Sequence, residues 1–303
     1  SEGVFFSELE EFYSSICENR EPKLKPLKIQ YVDFAAWEKN HFTPELQAEG
    51  LRYWKDYVED YVPLSLPLDK SRPVVQSMHG GHLSVVLNKD TTNLLNNLSR
   101  NEGATLSMTL LSAYQILLGR LSGQSDILVG MGIANRTHSD LHNLIGFFVN
   151  KLPMRQRLES SDTFIDILIK SKKDSLNAYE YQNIPFERIV DELQVERRLD
   201  RMPLVQYCFV LQNTESRNSI NLSGVKTSPL KGIEFNTTKS DITFSCMEVD
   251  ERLFINIEYS TDIFLSDTIK RLGNQYLLLL EQITKNPVKN INDYVLLDTN
   301  ERK

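Results

Sequence analysis

Five histidines, three cysteines and a scatter of serines set out the chemistry open to this 303-residue chain. His138 and His142 stand four apart, a spacing that puts two imidazoles on one helix face, as a zinc pair requires. The segment has neither an HExxH pattern nor a nearby cysteine, so solvated or locally bonded histidines account for it better. His79 and His82 flank Gly80-Gly81 and read as a bend entering a strand. Gly130-Met131-Gly132 follows a strand as a dinucleotide loop would, yet that fingerprint needs a third glycine where Asn135 stands. Gly123-Gln124-Ser125-Asp126-Ile127 lacks the closing glycine of a nucleophile elbow, which leaves Ser125 as a turn residue. No metal site is expected.

Four other segments combine residue types that packing alone does not select. Ile145-Gly146-Phe147-Phe148-Val149-Asn150 ends a bulky apolar run on an amide, with Arg155 shortly after. Burying each Phe contributes about 1.5–3 kcal/mol, which explains the run, whereas a buried amide needs a partner. For Asn150 that partner is either backbone or a ligand. The other segments are Tyr31 to Trp37, Tyr181-Gln182-Asn183-Ile184-Pro185-Phe186-Glu187, and Arg198-Leu199-Asp200-Arg201-Met202-Pro203-Leu204. Taken singly, each reads as a helix entry or a loop, with Pro185 and Pro203 fixing turns.

The elements that must position these segments follow from periodicity. The chain opens inside an amphipathic helix bearing Val4, Phe5, Leu9, Phe12, Tyr13 and Ile16, with no initiator Met, as expected of a fragment begun partway through a fold. Pro22 and Pro26 mark a linker over residues 20–30. Helices are expected around Trp37, around Leu51 to Val58, and over Leu106 to Leu121, Phe164 to Tyr179 and Ser266 to Thr284. Strands are expected at His82 to Leu87 and Ile127 to Val129, with a central one at Leu204 to Leu211. Asp241 to Val249 and Leu253 to Tyr259 alternate as a hairpin around Asp250-Glu251-Arg252. Parallel-type and antiparallel-type strands with helices between them argue for a mixed-sheet α/β sandwich.

Composition narrows the class. An apolar content of 41% supports a packed core, and the longest apolar runs fall far short of the roughly 18 residues that cross a bilayer. The net charge of −7 arises from interspersed charges without a basic stripe, which speaks against nucleic acid. Cys17, Cys208 and Cys246 are widely spaced and read as free thiols. A cytoplasmic location is expected.

In order and spacing, the four segments resemble the condensation domains of nonribosomal peptide synthetases over nearly the whole chain. Tyr31 to Trp37 resembles that family's YxDxAxW segment, Ile145 to Asn150 its IGxFVN segment, Tyr181 to Glu187 its QDxPFE segment, and Arg198 to Leu204 its RDxSRxPL segment. Ser122 to Gly130 and Ile257 to Phe264 are also similar. Lys151, Asn183 and Asp200 depart from the usual Thr, Asp and Ser.

The resemblance implies a chloramphenicol-acetyltransferase-like sandwich of two lobes around a tunnel that two carrier proteins enter from opposite faces. It divides the chain into residues 1–25, a trailing helix of the N-terminal lobe and linker; 26–290, the C-terminal lobe; and 291–303, a linker toward a following adenylation domain. It places the HHxxxDG catalytic motif just before Ser1, so no catalytic residue is expected here and the N-terminal lobe is a partner. Asn150, Asn135, Arg136 and Phe148 are the implied tunnel residues, with Gly130 to Arg136 as a floor loop and a later strand as a latch. Gln182, Pro185, Phe186, Glu187, Arg198 and Asp33 hold the motifs in shape. Donor and acceptor carrier domains would deliver phosphopantetheine arms, with no cofactor bound directly, and an amide would form between acyl donor and amine acceptor. The alternative is a catalytically inactive domain that recruits a partner enzyme.

Overall fold

A computed structural model of the protein describes residues 1–212, 220–228 and 236–297. The chain folds into two compact units. The first comprises Ser1–Glu49, Ala134–Val149 and residues 220–228; the second comprises Gly50–Ile133, Asn150–Gln212 and residues 236–297.

In the first unit, α1 (Glu2–Cys17) and α2 (Tyr31–His41) flank an irregular linker. Gln30 and Asp33 form a capping box that starts α2, with the Gln30 N–H donating to Asp33 Oδ2 at 2.8 Å. Phe34, Leu141, Leu144 and Phe148 make a small core of their own, with Ile29 against it. Helix α3 (Pro44–Val58) begins in this unit and runs on into the second.

The second unit is built on a six-stranded mixed sheet. Its strands are β1 (Gly80–Leu87), β2 (Asp126–Ile133), β3 (Asn150–Arg157), β4 (Tyr207–Gln212), β5 (Ile242–Val249) and β6 (Arg252–Ser260). They lie in the order β1-β6-β5-β4-β2-β3; β4 is parallel to both its neighbours, and the remaining pairs are antiparallel. The register fixes two faces. Leu152, Met131, Phe209, Phe244 and Ile257 share one, and Pro153, Gly130, Cys208, Thr243, Glu258 and His82 share the other.

A helical layer covers the first face: α4 (Lys89–Asn101), α5 (Leu106–Ser122), α6 (Phe164–Glu180) and α8 (Ser266–Lys285). Helix α5 is buried along nearly its whole length, as an apolar-all-round sequence requires. Tyr114 of α5 stacks on Phe244 with centroids 4.4 Å apart, Tyr276 of α8 meets the same ring edge-on at 5.2 Å, and the Tyr276 hydroxyl donates to Leu110 O. The helix ends carry their caps: Asn88 for α4, Thr105 and Gly123 (φ 69°) for α5, and the Thr163 and Asp166 box for α6. Leu265 cannot cap α8 with its side chain, and Asp69 does so instead, accepting from Leu265 N and Thr268 Oγ1.

The expected elements form, with three differences. β4 begins at Tyr207 rather than Leu204, because Pro203 lacks a donor and Leu204 adopts φ 65°. Gly130 to Ile133 are paired in β2, so only Ala134 to Arg136 of the expected floor loop are loop. α4 and β3 have no counterpart in the periodicity. Of the two readings open to the segment after Pro185, the helix entry holds: it leads into a short helix, α7 (Phe186–Glu192). Among the described residues every strand longer than an isolated bridge belongs to the one sheet.

Candidate functional site

β3 is an edge strand, which is why it tolerates Pro153 opposite Gly130. Its first residue is Asn150, whose amide is saturated. Nδ2 donates to Gln182 O and Ile184 O, both at 2.7 Å, and Oδ1 accepts from Lys151 N at 2.8 Å and Phe186 N at 3.1 Å. Two donors and two acceptor sites are thus spent on the backbone of the 182–186 segment and of β3 itself. Pro185 occupies the cap position of α7, Phe186 is buried beneath its first turn, and Glu187 lies exposed in that turn, where a carboxylate suits the helix N-terminus. Gln182 folds back onto Tyr179 O. The IGxFVN-like and QDxPFE-like segments therefore meet through one amide.

The free edge of β3 is closed further along. The Tyr57 hydroxyl donates to Arg155 O at 3.0 Å and accepts from Arg155 N at 2.9 Å. The Arg155 guanidinium makes a bidentate pair with Asp126, at 2.8 and 2.6 Å, and donates to Tyr57 O and Glu59 O. Burial pushes the Tyr57 phenol well above its usual range.

The segment around Arg198 is held by charge. Asp200 accepts from Arg201 and Arg198, whose guanidiniums hold its carboxyl far below the usual carboxylate range. Arg72 donates to Asp200 O at 3.3 Å and forks onto the buried carboxylate of Asp241, at the head of β5. Arg72 and Asp241 were not foreseen; they stand 169 residues apart and no local pattern links them.

In the first unit, the Arg136 guanidinium lies over the Phe148 ring at 4.2 Å and donates to Leu141 O and to Ser1 Oγ. Asn135 takes φ 50°, and its Oδ1 is buried without a partner among the described residues. Tyr31 packs edge-on against Phe148 at 5.2 Å, donates to Phe147 O at 2.9 Å, and lies over Gly146, where a Cβ would collide with the ring. Asp33 serves as the α2 cap. The geometry of this unit thus joins the YxDxAxW-like segment to the apolar part of the IGxFVN-like one, and brings Asn135, Arg136 and Phe148 close in the chain fold.

The histidines singled out in the sequence are locally bonded or stand apart from the nearby serine. His138 Nδ1 accepts from Asp140 N, and the Ser77 hydroxyl donates to Asp262 rather than to His79. Among the described residues no group of three or more His, Cys, Asp or Glu could hold a metal ion. No described helix is long and apolar enough to cross a membrane. Cys208 and Cys246 are buried free thiols, and Cys17 is exposed.

A six-stranded mixed sheet under one helical layer is an α/β sandwich of the chloramphenicol-acetyltransferase type. The profile of the Condensation domain family matches residues 1–303, and the chain belongs to that family as a condensation domain of nonribosomal peptide synthetases. It is 41% identical over its whole length to one polypeptide of the linear gramicidin synthase of Brevibacillus parabrevis, and it spans 4% of that protein. The first condensation domain of the CDA synthetase superposes with a TM-score of 0.80 at 16% identity, over 97% of this chain and 64% of that one. The X-domain from teicoplanin biosynthesis superposes with a TM-score of 0.83 at 23% identity, over 97% of this chain and 68% of that one.

Proposed function

We propose that this chain is the positioning lobe of a condensation domain that joins a carrier-bound acyl or aminoacyl thioester to a carrier-bound amine. The observation that carries this is the 41% identity over the entire chain to part of a linear gramicidin synthase, with the segments of the resemblance brought into contact within each unit. In such a reaction the amine nitrogen attacks the thioester carbonyl, the amide C–N bond forms, the C–S bond breaks, and the amine proton must be removed. The resemblance gives that proton to the HHxxxDG motif, which these 303 residues do not contain. What remains for this lobe is placement. Holding two tethered reactants in register supplies about 7–11 kcal/mol of a barrier, against the 10²- to 10⁴-fold typical of proton transfer.

In this reading, Asn150, Gln182, Pro185, Phe186 and Glu187 keep one wall in shape, and Arg198 with Asp200 keeps another. Within the first unit, Arg136, Asn135 and Phe148 shape the loop that follows β2. The phosphopantetheine arms arrive on donor and acceptor carrier domains, and an N-terminal lobe and a following adenylation domain are the expected neighbours in a cytoplasmic synthetase. A second reading, a docking domain without catalysis, draws support from the likeness to the X-domain, a solved complex of which contains OxyB. One assay separates them. Donor-loaded and acceptor-loaded carriers are mixed with the synthetase that contains this chain, and the acceptor carrier is weighed by intact mass spectrometry. Transfer of the acyl group supports condensation; loaded carriers that never exchange it, beside stoichiometric capture of an oxygenase, support docking.

A further inference from the structure

Lys151, second residue of β3, points to the sheet face opposite the helical layer, in register with Gly132. Its stem crosses Gly130: a Cβ there would stand 3.0 Å from Lys151 Cδ and 3.2 Å from Cys208 Sγ. A glycine on β2 thus makes room for a lysine from the neighbouring strand. The ammonium is partly buried, and the groups that contact it are neutral. They are Met202 Sδ at 3.9 Å, the Phe186 ring centroid at 5.4 Å and the Cys208 thiol, which burial pushes up despite the opposing effect of Lys151. Among the described residues no carboxylate lies within ion-pair distance of it, whereas Arg72, Arg155, Arg198 and Arg201 of the same unit are each paired with an aspartate.

A partly buried cation without a counter-charge is less favourable than one that something negative completes. It also stands where the resemblance leads one to expect threonine, so the charge departs from that pattern. We propose that Lys151 is a specificity-determining residue that binds an anionic oxygen group, carboxylate or phosphate, carried by the tethered substrate. This rests on the condensation reading for the substrate's being tethered; the recognition itself is read by binding alone.

The test is calorimetric titration of the synthetase containing this chain with two pairs of probes. The first pair is the non-hydrolysable amide analogues of glutamyl- and glutaminyl-pantetheine, and the second is 4′-phosphopantetheine and pantetheine. In at least one pair the anionic member should bind about tenfold or more tightly than its uncharged partner, a difference of ~1.4 kcal/mol. Lys151→Met, which keeps the stem, should erase that ratio, and Lys151→Arg should preserve it. A ratio confined to the glutamyl pair assigns the anion to an acidic side chain; one confined to the second pair assigns it to the phosphate of the arm. Equal binding within both pairs, or a ratio that survives Lys151→Met, overturns the proposal. Absence of acyl transfer in the carrier assay, with the ratio intact, would instead reject the condensation reading and leave the anion site standing.

Discussion

Polar side chains in this protein are spent on backbone more than on one another. Asn150 ties two segments with four hydrogen bonds, Tyr57 closes a strand edge with two, and Arg155 serves an aspartate and two carbonyls at once. Each such bond nets about 0.5–1.5 kcal/mol, while a buried group deprived of its partner costs more. Arg155 is the sharpest case, because its side chain is only 5% exposed and its fork cannot be reproduced by an ammonium. Arg155→Lys should therefore lower stability by about 2–3 kcal/mol, seen as a reduced denaturant midpoint with an unchanged slope. A midpoint equal to that of the parent would show the fork to be dispensable.

Helix ends and strand edges set how the segments are presented. α7 closes in a Schellman motif, with Val195 N donating to Val190 O and Gln194 N to Asp191 O, and exposed Gln194 takes φ 49°. Glycine is at ease there, so Gln194→Gly should raise stability by about 0.5–1 kcal/mol in denaturant unfolding; a loss would mean the Gln194 side chain contributes. In α1, Glu11 accepts from Arg20 and from Lys23 N beyond the helix end, and the Arg20 bond chiefly holds its carboxyl down at about 2 against an ordinary 4.5. A depressed carboxylate adds stability above its ordinary pKa, and that contribution fades as pH falls from about 4.5 toward about 2. Arg20→Ala should move the Glu11 titration upward by NMR; an unmoved midpoint would deny the bridge.

The same scale explains what the sequence disclosed. α5, α6, α8 and the β5–β6 hairpin are legible because their apolar spacing is regular, and the hairpin turn is confirmed by positive φ at Asp250 and Glu251. β3 escapes because Lys-Leu-Pro-Met-Arg-Gln-Arg does not alternate: the polar Arg155 and Gln156 are both buried, Arg155 through its pair with Asp126. α4 escapes because four of its thirteen residues are asparagine. Asn150 stood out as an amide out of place, but whether backbone or ligand would satisfy it was fixed only by long-range folding, as was the Arg72 and Asp241 pair.

At the scale of the whole molecule, one six-stranded sheet carries loops that its own polar side chains pin, and the proposed function gives those loops the placing of reactants. The central claim is that the Asn150 clamp acts through geometry. Its most direct test is the pH profile of single-turnover condensation by the synthetase with Asn150→Ala, once circular dichroism shows the domain folded. Losing four hydrogen bonds should destabilise the fold by about 2–4 kcal/mol and slow amide formation tenfold or more, with the shape and midpoints of the pH profile unchanged. An undiminished rate, or a rate lost together with a shifted midpoint, would contradict a purely positioning role.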